Sequence, residues 1–139
     1  MPDKVLIDTS IWIEFFNMAR GQVFQEVTQL LREDPTAYSG MIALELIRGA
    51  KTAKELKTLE NLFQSIARFD EQPSSHIQAG HLGHKLAGKG ITMGTVDLLI
   101  AQVAIDHALS LYTQDHRFSS IAKHSSLTLH HTSKASPST

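Results

Sequence analysis

Short apolar runs that alternate with segments of helical periodicity most restrict how this chain can fold. The first apolar run covers residues 5–7 and ends at Asp8, and the residues after it switch to helical spacing. Similar runs return at residues 37–39, 66–69, 109–113 and 127–130. Repeated alternation of strand and helix is typical of a parallel sheet covered by helices. We therefore predict an α/β fold with a mostly parallel central sheet.

Helical spacing of apolar residues also predicts the segments between the strands. After the helix that follows Asp8, helices are expected over residues 22–33, 41–49, 53–64, 96–108 and 118–123. A further segment, from 74 to 87, is a weaker helix because Gly80 and Gly83 each cost about 1 kcal/mol relative to alanine. Thr9 or Ser10 is expected to cap the first helix, and Thr95 the apolar helix over 96–108.

The length of the chain corresponds to one domain. It has 139 residues, and an ordinary domain has about 150. We assign residues 1–131 to one folded domain. Residues 132–139 contain five Ser or Thr and one Pro, a composition typical of disordered tails.

Charge and cysteine usage exclude several classes of site. Thirteen Lys and Arg against fourteen Asp and Glu give a net charge of −1, so the chain has no general basic field for nucleic acid. The absence of cysteine excludes disulfides, thiolate zinc sites and cysteine nucleophiles. No apolar run approaches the roughly 20 residues of a membrane span, and the start lacks the order of a signal peptide. We expect a soluble cytoplasmic protein that does not associate with a membrane.

Four carboxylates stand at strand ends or on otherwise apolar helix faces: Asp8, Glu45, Asp97 and Asp115. In a parallel α/β sheet, ligands bind outside the carboxyl ends of the strands. Each acid also has an ordinary interpretation. Asp97 could simply interact favourably with the dipole at the start of a helix. Glu45 can pair with Arg48, and the other two acids are typical of turns or loops.

Taken together, the four acids indicate a cation site. Like charges gathered at one edge of a sheet raise pKa values and cost stability unless a cation is present. Oxygen ligands without cysteine favour magnesium or manganese over zinc. Two such ions about 3.5 to 4 Å apart can promote phosphodiester hydrolysis by metal-activated water.

The ordered set of motifs around these acids resembles the PIN domain nucleases, and among them the single-domain VapC toxins. The motifs are Val5-Leu6-Ile7-Asp8-Thr9-Ser10, Leu44-Glu45-Leu46 with Arg48-Gly49, Val96-Asp97-Leu98-Leu99-Ile100-Ala101, and Tyr112-Thr113-Gln114-Asp115 through Phe118. They extend over nearly the whole chain as far as His130. The resemblance implies a three-layer sandwich with four or five strands.

The resemblance also implies a site and an activity. The four acids would form a magnesium site in which manganese can substitute, with Asp8 and Asp97 as the most direct ligands. Hydroxyls of Thr9, Ser10 and Thr113 would bond to those ligands. The implied activity is endonucleolytic cleavage of RNA by a toxin.

The implied partners are an antitoxin and a second copy of the chain. The antitoxin would be encoded alongside, and its tail would cover the groove near the acids with an Arg or Lys. The homodimer would form through helices near residues 41–63, giving a heterotetramer or larger assembly with antitoxin.

Several other residues are weaker candidates. Basic residues that could contact RNA phosphates, or be ordinary surface charges, are Arg48, Lys51, Lys54, Lys85 and Arg117. Aromatic residues that could stack on bases, but are more typical of a core, are Trp12, Phe15 and Phe16. We expect His81 and His84 to lie on a wet helix face, and the pair His130 and His131 to be solvated.

Two alternative functions remain open. Aspartyl phosphoryl transfer at Asp8 would need an acid two residues later, where Ser10 stands, and a lysine directly after the strand over 109–113. A PIN-like module that binds RNA or a partner without catalysis would keep the fold. An assay of magnesium-dependent RNA cleavage distinguishes this binding module from the nuclease.

Overall fold

The sheet of the structure, a computed structural model that describes residues 4–131, has five strands that all run parallel. The strands are β1 (Val5–Ile7), β2 (Thr36–Tyr38), β3 (Ala67–Arg68), β4 (Ser110–Tyr112) and β5 (Thr128–Leu129). Their order across the sheet is β3-β2-β1-β4-β5. The chain therefore changes direction across the sheet between β1 and β4, and such a switch point is where α/β sheets bind ligands.

Seven helices flank the sheet within the described residues. They are α1 (Thr9–Asn17), α2 (Gln22–Glu33), α3 (Gly40–Arg48), α4 (Ala53–Ser65), α5 (Ser75–Ala87), α6 (Thr95–Asp106) and α7 (Arg117–Lys123). The predicted α/β class, with a mostly parallel sheet of four or five strands, is confirmed, and the sheet has five strands that are all parallel. The tail over residues 132–139 lies outside the described residues.

β1 is the central strand of the sheet. This position explains why the first apolar run has no alternating polar residues. Val5, Leu6 and Ile7 are all buried, the last two completely. Successive side chains of a strand point to opposite faces, so both faces of β1 are covered. Burial on both faces is the reason that strands of parallel sheets read as continuous apolar runs.

Close packing of α5 against α6 explains why α5 contains Gly83, although glycine lowers helix propensity. A Cβ placed on Gly83 would lie 2.8 Å from Cδ1 of Leu98. Leu82 and Leu86 of α5 are buried in the core, so packing compensates for the glycines and the helix forms. Gly80 has open space around it and makes no such contact.

The predicted helix caps are wrong. Asp8 and Gly94 occupy the N-cap positions of α1 and α6, and neither makes a side-chain cap bond. Thr9 and Thr95 are the first helical residues instead. The second strand ends one residue earlier than predicted, because Ser39 serves as the N-cap of α3 and accepts a hydrogen bond from the backbone N–H of Ile42.

The expectation that His130 is solvated is also wrong. Its Nε2 lies 3.0 Å from Oε2 of Glu26, and its side chain is only 17% exposed. The ring also packs on Tyr112, with 5.0 Å between centroids. Burial, with Glu26 and Glu14 nearby, raises the pKa of Tyr112 to about 12. The pairing of β5 with β4 carries His130 into this buried cluster. His131 is exposed, as expected.

Among residues 4–131, none of the helices combines the length and the apolar character needed to span a bilayer.

Candidate active site

Asp8 is held at the carboxyl end of β1 by groups from α1 and from the end of β4. Its backbone N–H donates to the carbonyl of Tyr112 at 2.9 Å, which continues the pairing of β1 with β4. Oδ2 accepts hydrogen bonds from Ser10 Oγ at 3.0 Å and Thr113 Oγ1 at 2.8 Å. Asp8 is only 7% exposed. A buried carboxylate fixed by two hydroxyls has a defined orientation at the switch point of the sheet.

Glu45 approaches the same edge of the sheet from α3. Thr9 Oγ1, in the first turn of α1, donates to Glu45 Oε1 at 2.7 Å. The residue is partly buried, while its neighbour Leu46 packs into the core. The Thr9 hydroxyl therefore joins Glu45 to the residue that follows Asp8.

Asp115 lies in the loop between β4 and α7. Its backbone N–H donates to Thr113 Oγ1 at 3.0 Å, so one hydroxyl serves both Asp8 and the Asp115 loop. Arg117 Nε donates to both carboxylate oxygens of Asp115 at 3.1 Å. Hydrogen bonding from the Arg117 side chain is the main reason that the pKa of Asp115 is lowered. Asp115 is thus held in its ionised form.

The pKa of Asp97, in the first turn of α6, is affected by the other three acids, which shows that all four lie near one another. Burial is the largest cause of its raised pKa, and Arg117 opposes the shift. Asp8, Asp115 and Glu45 each raise the pKa of Asp97 further by like-charge repulsion. Carboxylates from β1, α3, α6 and the loop after β4 therefore share one electrostatic environment. The structure brings together all four acids that the sequence singled out.

The chemistry of the donor set fits a hard divalent cation. All four side chains offer carboxylate oxygens, which magnesium and manganese prefer and which zinc uses less. Among the described residues, however, no three His, Cys, Asp or Glu side chains are arranged to enclose an ion as they stand. Arg117 instead lies against two of the acids.

The hydroxyls predicted to support the site take part in it. Ser10 and Thr113 donate to Asp8, and Thr9 donates to Glu45. Because Thr9 and Ser10 bond to acids, their hydroxyls are not available to cap α1. Their side chains connect the acids to the backbone of the first helix.

The basic candidates divide into three groups. Arg117 contacts Asp97 and Asp115 directly, a position that the sequence did not indicate. Lys85 Nζ donates to the carbonyl of His124 at 2.7 Å. The remaining candidates are exposed and lie on or beside α3 and α4: Arg48, Lys51 and Lys54.

The aromatic residues of α1 form mainly a core cluster. Trp12 is fully buried and stacks with Phe16 at a centroid distance of 6.0 Å. Phe15 packs partly buried against the core. Phe16 departs from the expectation, because it is 41% exposed. The helix-face histidines His81 and His84 are exposed, as expected.

A groove of about 500 Å³ opens beside Glu45. Its walls come from α1, α3, α4 and the connection between the last two. The residues that line it include Ile13, Phe16, Leu46, Lys51, Lys54 and Leu59. The groove combines apolar walls with lysines and reaches the acidic cluster through Glu45.

Comparison with known proteins gives consistent matches over most of the chain. A profile of the PIN domain family matches residues 5–124. The chain is 31% identical over 123 residues to "VapC ribonuclease Mb1587" of Mycobacterium bovis, covering 86% of this chain and 92% of that protein.

Solved structures share the fold. A VapBC2 complex from Rickettsia felis, bound to a DNA fragment from its promoter, contains a chain with a TM-score of 0.75 and 24% identity, covering 91% of this chain and 96% of that one. A DNA-bound VapBC from Salmonella typhimurium matches with a TM-score of 0.77 and 22% identity, covering 93% and 98%.

Proposed function

The chain belongs to the PIN domain family, and from that membership we propose that it is a magnesium-dependent endoribonuclease acting as the toxin of a toxin–antitoxin pair. The observation that carries the proposal is the convergence of Asp8, Glu45, Asp97 and Asp115 at the carboxyl edge of the sheet. A relative that is 31% identical is named a ribonuclease. We expect the chain to act in the cytoplasm, where the proposed RNA substrate is found.

In the proposed site, Asp8 and Asp97 would hold Mg²⁺ or Mn²⁺ most directly, and Glu45 and Asp115 would complete the negative charge. A bound ion of this kind polarises a phosphoryl oxygen and lowers the pKa of bound water. Ser10 and Thr113 both donate to Oδ2 of Asp8. Because both hydroxyls bond to Oδ2, neither of them occupies Oδ1 of Asp8, the oxygen that we assign to the cation.

Glu45 and Asp115 are oriented by the Thr9 hydroxyl and by the loop after β4, respectively. Thr9 fixes Glu45 through its bond to Oε1. Thr113 fixes the backbone of Asp115. Pre-organised ligands of this kind support metal affinity and activity, and loss of such a supporting bond costs about 10- to 100-fold.

The alternative is a PIN-fold module that binds RNA or a partner without cutting. The filled acidic positions favour catalysis, since a binding module has no need to keep four mutually repelling carboxylates. Aspartyl phosphoryl transfer lacks support, because Ser10 rather than an acid bonds to Asp8.

Incubation with a circular single-stranded RNA tests the proposed activity. A circle has no ends, so its conversion to linear RNA reports internal cleavage alone. We expect linear product in millimolar Mg²⁺, none in excess EDTA, and restoration by Mn²⁺. Cleavage that persists in EDTA contradicts the metal requirement, and retention of RNA on the protein without linear product favours the binding module.

We also propose that an antitoxin occupies the groove beside Glu45. Solved neighbours of this fold are VapBC complexes. Apolar walls at Ile13 and Phe16 suit an apolar segment of a partner, and the continuation to the acids suits an Arg or Lys on that partner. Exposed Leu44 and Ile47 on α3, with Leu56 on α4, are candidates for contact with a second copy of the chain.

Coexpression with the small protein encoded next to the gene tests this partner. We expect the two proteins to copurify and RNA cleavage to be suppressed. Ile13→Glu places a charge in the groove and should abolish copurification. Ile77→Glu is the matched control, because Ile77 is 66% exposed on α5 and does not line the groove. Equal loss with both variants, or copurification with Ile13→Glu, contradicts docking in the groove.

A further inference from the structure

Arg117 occupies the space between two acids that come from different parts of the fold. Its Nη2 lies 3.3 Å from Oδ2 of Asp97, in the first turn of α6. The same nitrogen lies 2.5 Å from Oδ2 of Asp115, while Nε reaches both Asp115 oxygens at 3.1 Å. The guanidinium therefore joins α6 to the loop after β4.

This contact compensates charge inside the acidic cluster. The pKa of Asp97 is raised by burial and by three neighbouring acids, and Arg117 is the positive group that opposes the rise. The pKa of Arg117 is itself raised, first by its hydrogen bond to Asp115. The guanidinium thus supplies in the free protein some of the positive charge that a cation would bring.

The Arg117 side chain can leave the acids without opening the core. It is 56% exposed, whereas the next residue, Phe118, is 1% exposed and anchors α7. Exposed ion pairs are individually weak because water screens them. Movement of the guanidinium therefore requires only side-chain rotation, while the backbone of α7 stays in place.

We propose that Arg117 is an internal counter-ion that competes with the divalent cation for Asp97 and Asp115 and is displaced when the ion binds. The inference rests on the proposed metal-dependent function. An ion that takes the Oδ2 atoms of these two acids replaces the two bonds that Arg117 Nη2 makes to them. The displaced guanidinium remains beside the site, where it can contact an RNA phosphate.

Affinity for Mn²⁺ tests the competition without measuring RNA cleavage. Arg117→Gln removes both the bonds and the charge, and should tighten Mn²⁺ binding by about two- to thirtyfold, the factor that two exposed ion pairs represent. Free Mn²⁺ is measured by electron paramagnetic resonance during titration. Lys123→Gln is the control, because it removes one positive charge from the exposed end of the same helix.

The outcomes separate the inference from the proposed function. Tighter binding by Arg117→Gln alone supports competition. Binding that is unchanged or weaker, or a gain equal to that of Lys123→Gln, overturns the role of Arg117 and leaves the metal site standing. Failure of every protein to bind millimolar Mn²⁺ overturns both.

A second measurement observes the displacement itself. The Nε–H of Arg117, bonded to Asp115, should give a distinct signal in ¹⁵N-resolved NMR spectra of the free protein, assigned by its loss in Arg117→Gln. Saturation with Mg²⁺ should shift this signal or remove it through exchange with water. A signal that stays unchanged at saturating Mg²⁺ overturns displacement.

Discussion

Asp8→Asn is expected to lower the rate of RNA cleavage at least about a hundredfold while the protein stays folded. Metal-ion catalysis supplies several kcal/mol to hydrolysis of phosphodiesters, and each 1.36 kcal/mol corresponds to a tenfold change in rate. Asparagine keeps the side-chain size and a carbonyl oxygen that can accept from Ser10 and Thr113. It removes the negative charge that a cation needs. Initial rates of cleavage in Mg²⁺, with melting curves for each protein, measure both parts of the expectation.

Two further variants complete this experiment. Asp97→Asn should lose activity to a similar degree, because it removes a second candidate ligand. Glu60→Gln makes the same chemical change on the exposed side of α4 and should retain wild-type activity. If Asp8→Asn or Asp97→Asn keeps near-wild-type cleavage in Mg²⁺, the acids have been assigned to the wrong role.

Ile121→Ala is expected to destabilise the fold by about 2 to 5 kcal/mol, the usual cost of truncating a large aliphatic side chain in a core. Ile121 is completely buried on α7, the helix that begins at Arg117 and follows the Asp115 loop. The cost has two parts: the hydrophobic free energy that burial of the removed carbons contributed is lost, and the cavity that they leave is only partly filled. Urea unfolding at constant pH measures the change in the free energy of unfolding.

Ile77→Ala provides the matched comparison for this loss of stability. It removes the same atoms from a helix position that is 66% exposed, where substitutions usually change stability by no more than about 0.5 kcal/mol. Similar costs for both variants would mean that α7 does not pack as the structure places it.

The sequence allowed the fold and the acids to be predicted for one physical reason. Apolar residues in Val5–Ile7 must be covered on both faces, so a break in such a pattern is conspicuous. Asp8, at the end of that run, is such a break, and so is Asp97 on the apolar helix α6. These exceptions could be found without knowing any distance.

Details that depend on tertiary geometry could not be predicted in this way. The hydroxyls of Thr9 and Ser10 have good capping chemistry, but neighbouring acids offer them stronger acceptors. His130 sits beside a polar tail in sequence, and only the pairing of β5 carries it to Glu26. The position of Arg117 depends on how a short loop turns, which spacing alone does not encode.

The central place of β1 in the sheet has a consequence for the synthesis of this protein. Asp8 leaves the ribosome before the other three acids, and the Thr113 hydroxyl that orients it lies 105 residues further along the chain. Asp97 and Asp115 both follow β3 in the sequence, so a chain synthesised only as far as β3 carries two of the four acids. The four acids can therefore come together only after Asp115 has been synthesised. A growing chain that has not reached this residue lacks the complete acidic cluster.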